Sequence, residues 1–152
     1  MEIKVEGKNK KYSELLKEIY SGKFSDLSSF LLYKYEYILF SRNDKSFSLN
    51  MNKLSSDSLT HIEILGKLIT LLGDKPDFNN FIINDYFFLD NKEQLLEVNI
   101  RLIKEKIILY TKNLNNINDI YIKDILSNFI IEERKNLRIL ELLQIKIKKE
   151  KY

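Results

Sequence analysis

Residues 58–73 read SLTHIEILGKLITLLG and include His61, the only histidine in the chain. Apolar residues recur three, four, seven and eleven positions after His61, a spacing that keeps them on one face of a helix with about 3.6 residues per turn. His61 is therefore predicted to lie on the buried stripe of this helix. Gly73, with Pro76 beyond it, is typical of a helix end.

The buried imidazole of His61 needs a partner, because burying a polar group without a hydrogen bond is costly. The partner is either a metal ion or a neighbouring side chain. Buried polar groups usually find hydrogen bonds within the protein, which makes a core histidine the ordinary interpretation. The metal hypothesis requires further ligands on the helices that pack against residues 58–73.

Composition favours long helices around a sizeable core. The chain has 152 residues, of which 44% are hydrophobic and 31% charged, and we expect one domain over residues 1–152. Only four glycines and one proline interrupt it, which favours helices over many short strands. The absence of cysteine excludes disulfides, thiolate zinc sites and iron–sulfur clusters.

Charge and hydropathy argue against membranes and nucleic acids. No apolar run approaches the roughly 18 residues of a membrane span, and the charged first 20 residues lack the apolar core of a signal peptide. The net charge is only +3, and lysine supplies most of the basic residues. Because nucleic-acid surfaces are more basic and richer in arginine, we expect no nucleic-acid partner. The absence of cysteine is consistent with the cytoplasmic location that we expect.

Apolar periodicity predicts four long helices after an N-terminal arm and a short helix, which together occupy residues 1–22. Asn118 or Asp119 is a plausible N-cap for the last helix. The basic tail, residues 145–152, is expected to fray. The short helix is expected over 12–20, and the long helices over 26–42, 49–72, 92–114 and 120–148.

The connections between these helices predict the topology. The first and last connections are short, which makes the joined helices antiparallel. Residues 73–91 are aromatic-rich without a helical period, and we interpret them as a crossover packed along the bundle. One long connection between the second and third helices is the ferritin-like arrangement of an all-α four-helix bundle.

Asp26 is the first of two carboxylates that share a predicted apolar stripe. It precedes Phe30 and Tyr33 by four and seven residues, so it points to the same side as they do. Ionised side chains rarely lie inside unless they are paired or bound to a metal. Asp26 has an alternative role at the start of its helix, where a carboxylate meets the positive end of the helix dipole.

Glu133 is the second such carboxylate and lies in the middle of the last helix. It follows Phe129 by four residues and belongs to the same apolar stripe. The alternative is a slightly rotated helix, on which Glu133 faces solvent. There it would pair with a basic side chain, the candidates being Arg134, Lys104 and Lys106.

The stretches 60–69 and 71–76 resemble the second helix of ferritin-like proteins, close to the manganese catalases, their spore-coat relatives, rubrerythrin-like proteins and small clostridial ferritin-like proteins. The resemblance covers nearly the whole chain, although the pieces outside the second helix are individually weak. Those further pieces are Glu14-Leu15-Leu16, residues 20–23 and 25–27, Asn99-Ile100, Tyr110 and residues 130–133.

Such families hold two metal ions with a Glu from each of the first and third helices and a Glu-x-x-His pair from each of the other two. The resemblance places Asp26, His61 and Glu133 on ligand positions. The remaining ligand positions fall on Ser58, Ile103 and Asn136. Ile103 offers no ligand atom, and the other two offer only weak neutral ones, which implies that the dinuclear centre is lost.

Two functions follow from this comparison. The first is a degenerate ferritin-like protein without a cofactor. It would serve a structural or interaction role as a homodimer or larger assembly that forms through helix faces. One branch of the resemblance implies that the protein is associated with spores. Its metal-free core would be a hydrogen-bonded cluster with His61 as an imidazolium between Asp26 and Glu133. The alternative is an oxidoreductase acting on peroxide or oxygen, in which these three residues hold one iron or manganese ion.

Overall fold

The structure, a computed structural model, describes residues 2–151, and these contain helices and no β-strand. Met1 of the predicted arm and Tyr152 of the predicted tail lie outside the described residues. None of the helices described is long and apolar enough to cross a membrane. The helices are α1 (Lys10–Ser21), α2 (Asp26–Leu39), α3 (Lys45–Leu71), α4 (Lys92–Asn116) and α5 (Ile120–Glu150), with a 3₁₀ turn at Asp85–Phe88.

The four long helices, α2 to α5, form a bundle, and α1 packs against one end of it. α2 and α3 are antiparallel neighbours, across which Ser48 donates to the carbonyl of Tyr37 at 2.9 Å and Lys34 donates to the Asn52 side chain at 2.7 Å. One large apolar cluster of the core lies around α1, the C-terminal half of α3 and the N-terminal part of α5. A second cluster lies towards the other end of the bundle. The predicted all-α bundle with a long second connection is confirmed.

Side-chain caps fix where the helices begin. Asp119 accepts hydrogen bonds from the amides of Tyr121 and Ile122, which confirms it as the N-cap of α5. Asp44 accepts from the amide of Phe47 at 3.1 Å and starts α3 four residues earlier than predicted. The predicted turn at 43–48 was therefore too long, because this cap converts its second half into the first helical turn.

Other predicted helix bounds also need correction: α1 begins at Lys10 and not at residue 12, and α4 ends at Asn116 and not at residue 114. α2 ends at Leu39 and not at residue 42. The tail that was expected to fray is helical as far as Glu150, because Ile147 is buried in the core and Lys151 donates to Glu93 at 2.9 Å. A buried apolar anchor and an ion pair thus hold the last turns of α5 against the bundle.

The crossover between α3 and α4 is attached at both ends by hydrogen bonds and aromatic contacts. Gly73 ends α3 with a φ of 95°, a conformation that favours glycine. Tyr20 donates to the carbonyl of Pro76 at 3.0 Å and stacks on Phe78 with ring centroids 5.3 Å apart. At the far end, Tyr35 donates to the carbonyl of Leu89 at 2.5 Å. The predicted aromatic packing of this segment is confirmed.

Candidate functional site

Three helices bring the predicted site residues together inside the bundle. Asp26 follows the N-cap of α2, His61 lies in the middle of α3, and Glu133 in the middle of α5. Each is at most 1% exposed. One ligand-capable atom from each lies within 4.8 Å of the others. Asp26 thus combines both of its predicted roles, since it occupies the first turn of its helix and also points inward.

Lys106 of α4 fills the space between the two buried carboxylates. Its Nζ lies 3.2 Å from Asp26 Oδ1 and 3.0 Å from Glu133 Oε1, and it donates to the Ser29 hydroxyl at 3.1 Å. The side chain of Lys106 is fully buried. Lys106 does pair with Glu133, as one alternative foresaw, but the pair lies in the interior. The solvent-facing orientation of Glu133 was wrong.

The imidazole of His61 joins this cluster to the bundle surface. Nδ1 lies 3.2 Å from Asp26 Oδ1 and 3.5 Å from Glu133 Oε1. Nε2 lies 2.5 Å from Oε2 of Glu132, whose side chain is 53% exposed. The ring stacks on Phe129 with centroids 3.8 Å apart. One edge of the ring thus faces the buried carboxylates, and the other faces a carboxylate in contact with solvent.

The electrostatics of the cluster favour two cations and two anions in its interior. Burial disfavours charge on His61, but Asp26 and Glu133 outweigh it and raise its pKa to about 10. Burial likewise opposes charge on Lys106, yet the same two carboxylates raise its pKa. The pKa of Asp26 is lowered because Lys106 and His61 together overcome its desolvation. An imidazolium between the carboxylates is therefore the state that this geometry favours.

Tyr110 completes the cluster from α4. Its hydroxyl donates a hydrogen bond to Asp26 Oδ2 and lies 3.4 Å from His61 Nδ1. Burial, and then the nearby Asp26 carboxylate, raise the pKa of Tyr110 well above its ordinary value. Tyr110 is therefore a neutral donor, and it occupies the Asp26 oxygen that Lys106 and His61 leave free.

The three positions without a metal-binding side chain lie apart from this network. Ile103 is buried in the apolar cluster that includes Tyr33 and Leu140. Asn136 donates to Asp57 at 3.4 Å and accepts from Lys53 at 3.4 Å, at the seam between α3 and α5. Ser58 is buried one turn before His61.

Comparison with known proteins finds relatives in structure only. No protein-family profile matches the sequence, and no curated protein matches it. A bacterioferritin from Rhodobacter capsulatus, described with a metal-free dinuclear site and haem iron, superposes with a TM-score of 0.81 at 17% identity, covering 94% of this chain and 89% of that one. A manganese catalase from Anabaena PCC7120 superposes with a TM-score of 0.80 at 14% identity, covering 97% and 77%.

The chain has a ferritin-like fold. The resemblance seen in the sequence is therefore confirmed at the level of the fold. At such low identities the two structures show the fold alone, so the chemistry of the site has to be argued from the residues of this chain.

Asp26, His61 and Glu133 converge in the described part of the chain, and these three side chains are fewer than the six that hold two ions in the ferritin-like pattern. Ile103 supplies no donor atom, and Asn136 is bonded elsewhere. A single ion fits only in part, because Asp26, His61 and Glu133 offer three converging donors. The carboxylate oxygens that would face such an ion already bind the Lys106 ammonium. A divalent ion there would lie beside a buried positive charge.

A second buried polar pair lies further along the bundle, between α2 and α4. Asn99 Nδ2 donates to Glu36 Oε1 at 2.7 Å. Glu36 Oε2 and Asn99 Oδ1 have no hydrogen-bond partner among residues 2–151. Burial raises the pKa of Glu36 well above its ordinary value, with the hydrogen bond from Asn99 acting in the opposite direction. One proton on Oε2 would satisfy both oxygens, since a carboxylic acid and an amide form two reciprocal hydrogen bonds.

The burial of Lys106 and the pairing of Glu36 with Asn99 were missed because apolar periodicity alone defined the predicted stripe. Asn99, Lys106 and Asn113 are each at most 1% exposed and recur every seven residues. Leu96, Ile103 and Tyr110 recur with the same spacing and are also buried. The signal that could have found the polar positions is this shared heptad register, in which polar residues run parallel to the apolar row.

Proposed function

We propose that this ferritin-like bundle works without a dinuclear metal centre and serves as a structural or protein-interaction component. The observation that supports the proposal is the position of Lys106. Its buried ammonium binds Asp26 and Glu133 at 3.2 and 3.0 Å. A tethered cation there does electrostatically what a metal ion would otherwise do, because buried carboxylates require a compensating positive charge.

The charge balance of the cluster supports the same proposal. Asp26 and Glu133 bring two negative charges into the interior, and Lys106 and protonated His61 bring two positive ones. The buried part of the cluster is then neutral without any added ion. A divalent ion would require the loss of the His61 proton and would still leave an excess positive charge beside Lys106.

An interaction role implies a partner, and we propose a second copy of the chain, bound through helix faces. Many exposed apolar side chains lie on the outer surfaces of the helices, among them Leu59, Leu71 and Ile131. The cytoplasmic location, which is consistent with the absence of cysteine, and the spore association, which rests on the resemblance, belong to this proposal as expectations.

The second candidate is a mononuclear iron or manganese protein acting on peroxide or oxygen. The convergence of three donor atoms within 4.8 Å favours it. In that case Asp26, His61 and Glu133 would hold the ion, which would supply redox chemistry. Lys106 would have to leave the two carboxylate oxygens and take its charge elsewhere.

Elemental analysis of protein purified without chelator tests the two candidates, together with thermal melts in the presence and absence of a strong chelator. If the bundle is a metal-free scaffold, we expect no stoichiometric metal and a melting temperature that chelator does not change. Iron or manganese approaching one ion per chain, with a melting temperature lowered by chelation, would contradict the scaffold and support the mononuclear site.

A further inference from the structure

The solvent-facing surface of the second half of α3 has an unusual order of residues. We call this surface the α3 outer face. It is opposite the stripe that carries His61, and both of its ends carry a large apolar residue. Its members, all exposed, are Leu59, Thr60, Glu63, Lys67, Thr70 and Leu71.

This order is symmetric about Leu65. Leu59 and Leu71 are equally far from that centre along the helix, and so are Thr60 and Thr70. The remaining pair is Glu63 and Lys67, which are equally spaced but opposite in charge. When two such helices lie antiparallel across a two-fold axis, each residue meets the level of its symmetric counterpart. Leucine then lies level with leucine and threonine with threonine, while Glu63 and Lys67, near the midline of the face, come opposite each other.

The two charges at the centre of the face are available for such a contact. Neither Glu63 nor Lys67 takes part in an ion pair or side-chain hydrogen bond within the described part of the chain. Across a two-fold axis, Glu63 of each copy would face Lys67 of the other, so the contact occurs twice. Charge complementarity of this kind fixes the register and orientation of an interface.

An apolar groove beside the face extends the area that a second copy could bury. Its volume is about 590 Å³, and Tyr20, Ile62, Gly66 and Pro76 line it together with members of the α3 outer face. Gly66 lies against the Tyr20 ring, which a Cβ at this position would touch at an ordinary van der Waals distance of 3.5 Å. A stable dimer buries roughly 800 Å² per partner, which one short helix face does not supply alone. The groove adds apolar surface from α1 and the crossover.

We propose that the α3 outer face and this groove bind a second copy of the chain, with the two α3 helices antiparallel across a two-fold axis at Leu65. The inference rests on the proposed interaction role and names its contact surface. The occupant is a second copy because the face complements itself in charge and in apolar positions.

The test measures self-association of the full chain by sedimentation equilibrium at low and high ionic strength. The variants are Glu63→Lys, Lys67→Glu and the double exchange, with Glu97→Lys, at an exposed position of α4, as a matched control. Each single reversal places like charges at both symmetric contacts and is expected to weaken dimerisation by more than about tenfold. The double exchange restores opposite charges and is expected to return the affinity to near that of the parent. Circular dichroism checks that every variant keeps its helices.

Several outcomes would overturn the proposal. A chain that stays monomeric excludes the dimer, and a dimer indifferent to both single reversals places the interface elsewhere. A double exchange that stays as weak as the single variants rules out the two-fold register. Metal analysis of the same samples separates this inference from the proposed function. A dimer that carries metal would contradict the metal-free bundle and leave the interface standing. A metal-free monomer would overturn the interface and the second copy as partner, and would leave the metal-free bundle standing.

Discussion

Replacing Lys106 by methionine removes one charge from the centre of the bundle and keeps most of the side-chain volume. The Lys106 ammonium makes two buried ion pairs, with Asp26 and Glu133, and one hydrogen bond to Ser29. The variant leaves His61 as the only cation that faces both buried carboxylates. The apolar part of the side chain still fills its space, so the change tests the charge and not the packing.

The expected loss follows from the burial of the partners. Breaking a buried ion pair by removing one member typically costs about 3–5 kcal/mol, because the remaining charge stays in the interior without compensation. Asp26 is fully buried and Glu133 nearly so, so solvent cannot take over the role of the ammonium. We expect the variant to lose about 3–5 kcal/mol of unfolding free energy near neutral pH, which for a chain of this size lowers the melting temperature by roughly 6–20 °C.

The pH dependence of the loss provides an internal check. In the parent, the pKa of Asp26 is held below its ordinary value of 3.8, so its contribution to stability is present above that value and disappears as the pH falls. In the variant, the pKa of Asp26 should rise, and protonation then relieves the uncompensated charge. The difference in unfolding free energy between parent and variant should therefore shrink as the pH falls from neutral towards about 4.

Urea denaturation is the suitable assay, since guanidinium chloride would screen the charges under study. Lys104→Met is the matched control, because Lys104 lies on the same helix but is exposed, and its replacement should change stability by no more than about 0.5 kcal/mol. If Lys106→Met costs no more than this control, the Lys106 ammonium does not balance the buried carboxylates. Added Mn²⁺ provides a second readout. Stabilisation of the parent as strong as that of the variant would mean that the ammonium does not compete with a metal ion.

Three further predictions concern other buried or strained positions. His61→Gln should lower the unfolding free energy by about 1–3 kcal/mol and leave metal content unchanged if His61 is a core imidazolium, whereas abolition of stoichiometric metal in elemental analysis would identify it as a ligand. Glu36→Gln should be more stable than the parent at about pH 8 and nearly equal to it at about pH 4. Because the pKa of Glu36 is raised in the folded state, its contribution to the stability of the parent is present below the ordinary pKa of 4.5 and is lost as the pH rises through the folded-state pKa. If the unfolding free energies of parent and variant changed in parallel with pH, a protonated Glu36–Asn99 pair would be contradicted. Gly73→Ala should cost about 1–2 kcal/mol in urea melts, since the φ of 95° at Gly73 disfavours a side chain; an unchanged midpoint would mean that the end of α3 relaxes easily.

Most of the fold could be predicted from the sequence because its helices carry strong apolar periods. The two short connections and the long aromatic crossover then left few arrangements for four helices. The misplaced ends have local causes. Asp44 caps a helix that apolar residues alone would start later, and Ile147 anchors a tail whose lysines suggested fraying. Both errors arose where one side chain decides the outcome and a pattern averaged over several residues does not.

The two carboxylates and the histidine of the candidate site could be predicted from the sequence, but the buried lysine, Lys106, could not. Asp26, His61 and Glu133 share stripes with apolar neighbours, which marks them as inward-facing. Lys106 was considered only as a surface partner of Glu133. Lysine is almost never fully buried without a partner, and the partners of Lys106 lie on other helices, far away in sequence. Glu36 escaped notice for the same reason. A buried charge is recognised through its pairing, and pairing is a property of the folded chain.

The position of Lys106 connects the loss of ligands with the survival of the fold. In the ferritin-like pattern, four carboxylates and two neutral imidazoles surround two divalent ions, and the charges cancel. In this chain, Asp26 and Glu133 remain, and an imidazolium and an ammonium face them, so the buried charges cancel again without any ion. Without the Lys106 ammonium, His61 would be left to compensate two buried carboxylates. Lys106, one turn beyond Ile103, supplies a cation that cannot dissociate from the bundle. The pairing of Asp26, His61 and Glu133 with one another and with Lys106 satisfies their buried charges, so their presence in the core does not require that a metal ion be bound.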